Sequence, residues 1–236
     1  MPKINQNNIK LVEKSITALP QQIISLLAQA QSWKLPKTHK NINKVVVSGM
    51  GGSNLGARII ASVLEANLKL PILVVSSYEV PGYVDKNTLY ICSSYSGTTE
   101  ETISAYHEAK KRKAKLVVIG ANNSNNKLAH KAQQDQLPYF LFTVDANPSN
   151  QPRLALGYAV FALIMVLRKA NVLKLTDNQI KTAIKKLTTW NNQLIPQKSN
   201  NSASKLADKL FNKNIVIITG NFLAGNAHTL KTLLTI

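Results

Sequence analysis

Acidic side chains are scarce in this chain: Asp and Glu number 11 against 29 Lys and Arg, which leaves a formal charge of +18 on 236 residues. Arginine is scarcer still. Only Arg58, Arg112, Arg153 and Arg168 offer the guanidinium forks that nucleic-acid grooves use on phosphates, and neither a base-stacking motif nor a helix-turn-helix accompanies them. The densest basic run, Lys110 to Lys115, falls where a helix should end and suits the negative end of its dipole. No nucleic-acid partner is expected. The lone cysteine, Cys92, excludes an internal disulfide and a Cys-type zinc site. His39, His107, His130 and His228 show no metal-like spacing. No apolar signal region opens the chain, and its longest apolar stretch, Leu154 to Leu167, is 14 residues, short of a bilayer span. The expectation is a reducing, cytoplasmic protein with no membrane partner and no metal.

What is present is a 44% hydrophobic chain with a repeating pattern. Residues 8 to 31 suit two short amphipathic helices around Pro20. Continuous apolar runs then recur at 44–47, 71–75, 89–92, 116–120 and 139–144, alternating with helical stretches near 55–66, 99–113 and 126–134. Strands without polar alternation are buried on both faces, so the expected fold is α/β: a five-stranded parallel sheet between helices. Ligands of such sheets bind at the carboxyl ends of the strands. Helices are expected over 154–167, 176–195 and 203–211, with a polar linker at 196–202. A fresh strand at 214–220 and a helix running to Ile236 follow, with Leu233, Leu234 and Ile236 expected to be buried. Cys92, Trp33 and Trp190 read as core or packing residues.

Three segments carry chemistry. Gly49-Met50-Gly51-Gly52-Ser53-Asn54-Leu55-Gly56 joins a strand to a helix N-terminus, where amide groups and the helix dipole favour an anion. Asn54 stands where a dinucleotide fingerprint needs glycine, and Gly56-Ala57-Arg58 is not a Walker ending. A tight structural turn explains this segment alone equally well. The second segment, Ser93 to Glu101, again follows a strand. Thr98 with Glu101 can form a capping box, but capping requires one hydroxyl, and Ser94, Ser96 and Thr99 share this turn. Such a cluster suits a phosphate monoester, whose three oxygens carry about −1.5 to −2 charge. Three or four charged hydrogen bonds of roughly 1.5 to 3 kcal/mol each exceed the roughly 4 kcal/mol of millimolar binding. In the third segment, Asn147 to Arg153, Pro152 suits a first helical position with Asn150 or Gln151 as cap. That places Arg153 at a helix start, an unfavourable location for a cation unless an anion is near.

Together, Gly49-Met-Gly-Gly-Ser53, Ser94-Tyr-Ser-Gly-Thr-Thr-Glu-Glu101 and Gln151-Pro-Arg-Leu-Ala-Leu-Gly-Tyr158 resemble the sugar isomerase (SIS) domain, specifically its bifunctional phosphoglucose/phosphomannose isomerase branch. The resemblance runs in order over roughly residues 10 to 236. It implies an SIS-type three-layer sandwich in a homodimer, acting without metal or other cofactor on glucose 6-phosphate, fructose 6-phosphate and mannose 6-phosphate. Gly51, Gly52, Ser53, Ser94, Ser96 and Thr99 would hold the phosphate, and Arg153 would steady an enediolate formed by a carboxylate base. The alternative is a non-catalytic phosphosugar-binding or regulatory module. Thr98 replaces the usual Asn of the hydroxyl turn, and Gly56-Ala57-Arg58 replaces a Gly-Gly-Asp. The family's catalytic Glu would fall at or just after Ile236, with its His and Lys further on, and none of the six Glu matches it. Glu100 and Glu101 instead suit a first helical turn. The expected organisation is an N-terminal helical segment (1–36), the SIS domain (37–170), a helical linker (171–213) and the start of a second SIS domain (214–236).

Overall fold

The computed structural model describes residues 6–196, 198 and 200–234. Two helices, α1 (Gln6–Thr17) and α2 (Leu19–Ala30), lead into β1 (Lys44–Ser48), α3 (Gly52–Val63), β2 (Ile72–Val75), β3 (Thr88–Ser93), α4 (Glu100–Lys111), β4 (Lys115–Ala121), α5 (Lys127–Gln134) and β5 (Tyr139–Phe142). Helices α6 (Leu156–Lys169), α7 (Asp177–Leu194), α8 (Ser202–Leu210) and α9 (Ala224–Leu234) follow. The five strands form the expected parallel sheet in the order β2-β1-β3-β4-β5. The chain leaves β1 toward one side and returns on the other, so the order reverses between β1 and β3, where such sheets open a crevice.

Alternate residues of each strand enter different cores. Val45, Val47, Leu89, Ile91, Val117 and Ile119 pack with α2, α3 and α6 through Leu26, Ala57, Ile60, Tyr158 and Leu163. Val46, Tyr90, Cys92, Leu116 and Val118 pack on the opposite face with Ala105, Tyr106 and Ala109 of α4 and Leu128 and Ala132 of α5. Complete burial of each Val, Leu or Ile contributes roughly 1.5–3 kcal/mol, which is why both faces of these strands are apolar. Tyr158 stacks on Phe142 with centroids 5.0 Å apart. Trp33 tilts over Phe140 and donates its indole N–H to the Tyr139 carbonyl at 2.8 Å, the packing role expected of it.

Other expectations change. Tyr139–Phe142 is the whole of β5, which therefore stops before Val144. Residues 214–220 form no strand: Val216 and Ile218 are 82% and 92% exposed, with no ladder partner among the described residues. A β-branched run needs a neighbouring strand for its backbone groups, and local composition does not supply one. Trp190, at 67% exposure, is not a packing anchor, and Leu234 is exposed where burial was expected. Gln197 and Ser199 of the polar linker, and Ile236, lie outside the described residues. Helix α9 lies against α3, where the Gly225 amide donates to the Ser62 hydroxyl at 3.1 Å. Among the described residues no helix is long and apolar enough to cross a membrane.

Candidate functional site

The carboxyl ends of β1 and β3 open on a cavity of about 580 Å³ lined by Met50, Gly51, Gly52, Ser53, Tyr95, Ser96, Thr99, Gln151, Pro152, Arg153 and Leu154, with Val12 of α1 at its rim. The three sequence segments converge here. Helix α3 begins at Gly52 with no side-chain cap; the Ser53 and Asn54 amides donate to the Met50 and Gly51 carbonyls at 3.0 and 3.4 Å, so what the turn offers the cleft is the Gly51–Gly52 backbone and the positive end of the helix dipole. A Cβ on Gly52 would lie 3.1 Å from the Arg153 nitrogen and the Pro152 carbonyl carbon, so glycine lets the third segment close on the first. Asn54, the residue that breaks the dinucleotide fingerprint, is buried. Its amide donates to the Gly49 carbonyl at 3.1 Å and the Ser76 hydroxyl at 2.7 Å, joining the β1 turn to the end of β2.

The hydroxyl turn divides its labour. Ser96 is exposed and Thr99 half-buried, and both line the cleft. Ser94 sits behind them, 1% exposed, its oxygen accepting the Gly97 amide at 3.0 Å and bonding the Thr99 hydroxyl at 3.0 Å. The structure thus brings Gly51, Gly52, Ser53, Ser96, Thr99 and Arg153 to one cavity and sets Ser94 behind it, bonded to Gly97 and Thr99. Thr98 caps nothing: its hydroxyl donates to Ser96 at 3.0 Å, and Thr99 is the residue before α4. The capping box is therefore absent. Glu100 and Glu101 lie in the first turn of α4, near enough to Tyr78 that Glu101 first, with burial and Glu100, raises that phenol's pKa.

Arg153 stands in a short 3₁₀ turn, Pro152–Leu154, not at the head of α6, which starts at Leu156; neither Asn150 nor Gln151 caps either element through its side chain. Tyr95 was not foreseen. Its hydroxyl accepts from Asn147 at 3.0 Å and donates to Asn150 at 3.3 Å, and burial raises its pKa, so it stays a neutral phenol. Nothing in its sequence neighbourhood signals this, because its partners lie 52 and 55 residues away.

The electrostatics favour an anion. Two helices start at the cleft, Arg153 lies in its wall, and no carboxylate among the described residues lines it. Residues 40–137 match the family model described as the SIS domain. This chain carries an SIS domain. Over 207 residues it is 36% identical to the bifunctional phosphoglucose/phosphomannose isomerase of Caldicellulosiruptor bescii, a match covering 86% of this chain and 59% of that protein. The protein of the same name from Thermoplasma volcanium is 33% identical over 153 residues, 64% of this chain and 45% of that one. The chain thus matches only about half the length of these relatives. Among solved structures, the C-terminal domain of glucosamine-fructose-6-phosphate aminotransferase from Francisella tularensis aligns with a TM-score of 0.68 at 14% identity, over 100% of this chain and 68% of that one. Tagatose-6-phosphate ketose/aldose isomerase from Escherichia coli aligns with a TM-score of 0.64 at 16% identity, over 93% and 61%. At these identities the two structures establish the fold.

The other titratable groups lie away from the cleft of this SIS domain. Cys92 is buried in β3, and burial pushes its thiol pKa up, which leaves it unreactive. His39 is buried with its Nε2 at 3.0 Å from the Leu116 carbonyl. His228 faces a second cavity of about 380 Å³ beside Arg58 and Glu65. Lys110 pairs with Asp135, and Arg112 pairs with Glu108 at 3.0 Å and donates to the Pro81 carbonyl at 2.6 Å. Part of the basic run is thus occupied within the domain. Among the described residues no group of three or more His, Cys, Asp or Glu could hold a metal ion.

Proposed function

We propose that the cleft binds the phosphate of a sugar phosphate, and that the protein interconverts phosphorylated aldoses and ketoses: glucose 6-phosphate, fructose 6-phosphate and mannose 6-phosphate. The observation that carries this reading is the meeting of the Gly51–Ser53 helix start, the Ser96 and Thr99 hydroxyls and the Arg153 guanidinium on one cavity without a carboxylate. About 580 Å³ suits a phosphorylated hexose. Amides and hydroxyls would meet the dianion, while Arg153 would stabilise negative charge developing on the C1 and C2 oxygens.

Isomerisation requires ring opening and then transfer of a proton between C1 and C2 through an enediolate. The described residues provide the anion side of that chemistry. They place no carboxylate in the cleft, so the base must come from elsewhere, from other residues of the protein or from a second subunit of the proposed homodimer. We read residues 214–236 as the opening of a second SIS domain, a reading supported by the similarity to relatives longer than this chain.

Titration calorimetry tests the binding step. Glucose 6-phosphate and fructose 6-phosphate should bind with millimolar or tighter affinity, and glucose should not. No heat from either phosphate would overturn the reading. The absence of a carboxylate also favours the second reading, a non-catalytic phosphosugar-binding module. A coupled assay on the longest natural form of the protein separates the two: turnover supports the isomerase, and ligand-dependent thermal stabilisation without turnover supports the module.

A further inference from the structure

Gln22 of α2 has no accessible surface, yet it is polar and lies among apolar neighbours. Its side-chain oxygen accepts the Gly157 amide at 3.0 Å, and its nitrogen donates to the Leu154 carbonyl at 2.8 Å and the Ala146 carbonyl at 3.2 Å. Both donor hydrogens and one acceptor position are thus used. A Cβ at Gly157 would fall 2.9 Å from the Gln22 Cβ and Oε1, so glycine there makes the space this amide occupies. Burying an amide gains little over burying a leucine, and carries a desolvation cost wherever a partner is missing, so packing alone does not explain the choice of residue. What the three bonds share is their destination. They grip the two ends of the segment 146–157, whose middle carries Gln151, Pro152 and Arg153 into the cleft. A second tie from the same helical pair reaches the middle of the segment, where Ser15, also fully buried, accepts the Ser149 amide at 3.0 Å.

We infer that Gln22 is a positioning residue of the cleft: by bridging Ala146, Leu154 and Gly157 it sets where Arg153 meets the ligand, which makes the N-terminal helical pair part of the binding site. This rests on the proposed role of Arg153 toward an oxyanion of the substrate. A guanidinium held by such a frame needs no reorganisation when charge develops, and displacement by about 1 Å can cost as much as 10²-fold.

The test compares two probes with the same phosphate. 5-Phosphoarabinonate carries a carboxylate where the enediolate would form, and sorbitol 6-phosphate carries none. Gln22→Met, which keeps length but loses all three bonds, should weaken 5-phosphoarabinonate binding about tenfold and sorbitol 6-phosphate less than twofold. Arg153→Ala should show the same selectivity, and the double variant should lose nothing beyond Arg153→Ala alone. Wild-type affinity for both probes in Gln22→Met, equal loss of both, or additive losses in the double variant would each overturn the inference. If Gln22→Met does not fold, Ser15→Ala applies the same criteria through the milder tie, with the same selective loss expected. Failure of the wild-type protein to bind sorbitol 6-phosphate would instead strike the phosphate reading itself, before any variant is compared.

Discussion

The Ser53 hydroxyl accepts the Tyr95 amide at 3.0 Å, joining two turns 42 residues apart, while the Ser93 hydroxyl donates to the Ser53 carbonyl at 2.8 Å. Ser53 is therefore fixed to the end of β3 through both its side chain and its backbone. Because its hydroxyl oxygen acts as acceptor toward Tyr95, its proton remains available as a donor to an anion in the cleft that Ser53 lines.

Ser53→Ala removes that donor and leaves the Tyr95 amide without its acceptor. The expected cost is about 1 kcal/mol of stability, in line with one lost hydrogen bond, together with roughly tenfold weaker phosphosugar binding. Urea denaturation and calorimetry on the same preparation check both. Unchanged affinity would show that the bond is structural only.

Ser94 and Thr99 should separate. Ser94→Ala strands the buried Gly97 amide, so it should destabilise by about 1–3 kcal/mol. Thr99→Ala removes a group on the cleft wall and should weaken phosphosugar binding by about tenfold, a loss of one charged hydrogen bond, and, because Ser94 keeps the Gly97 amide, should lower the melting temperature less than Ser94→Ala does. The reverse pattern, with Ser94→Ala affecting binding alone, would contradict the buried placement of Ser94.

Arg153→Lys keeps the charge but loses the planar fork, and should weaken 5-phosphoarabinonate binding by about tenfold. Arg153→Ala should weaken it further. Two variants that bind equally well as the wild type would remove Arg153 from the oxyanion role.

Stability should fall as the solution is acidified below neutrality. Burial is the largest cause lowering the pKa of His39, helped by Lys115 and opposed by the Leu116 carbonyl; burial likewise lowers His107 and His228. A histidine whose folded pKa lies below its unfolded value of about 6.5 takes up its proton more readily when unfolded. Its stabilising contribution is thus complete above that value and lost as pH falls toward the folded pKa. The urea midpoint should drop between pH 7.5 and pH 5, and His39→Gln should flatten part of that drop. An identical slope in the variant would assign the effect to the other two histidines.

The sheet was legible because β1, β3 and β4 are buried on both faces and so read as unbroken apolar runs. Residues 214–220 carry the same composition and form no strand, since pairing depends on a neighbour that composition cannot reveal. The turns that line the cleft were legible as glycine and hydroxyl clusters at strand-to-helix junctions. The inward turn of Ser94 was not, because sequence places residues on a turn without telling which hydroxyl the turn itself consumes.

Sequence alone therefore determined the layer order, the strand ends where a ligand would sit, and most of the groups that would meet it, because these follow from local periodicity and from residue types at junctions. Only the tertiary structure decided how the third segment reaches the first two and what holds it there. Gln22 bonds to Ala146 and Gly157 across 124 and 135 residues, and Tyr95 bonds to Asn147 across 52. Such contacts satisfy buried polar groups wherever folding happens to bring them together, and no spacing along the chain encodes them.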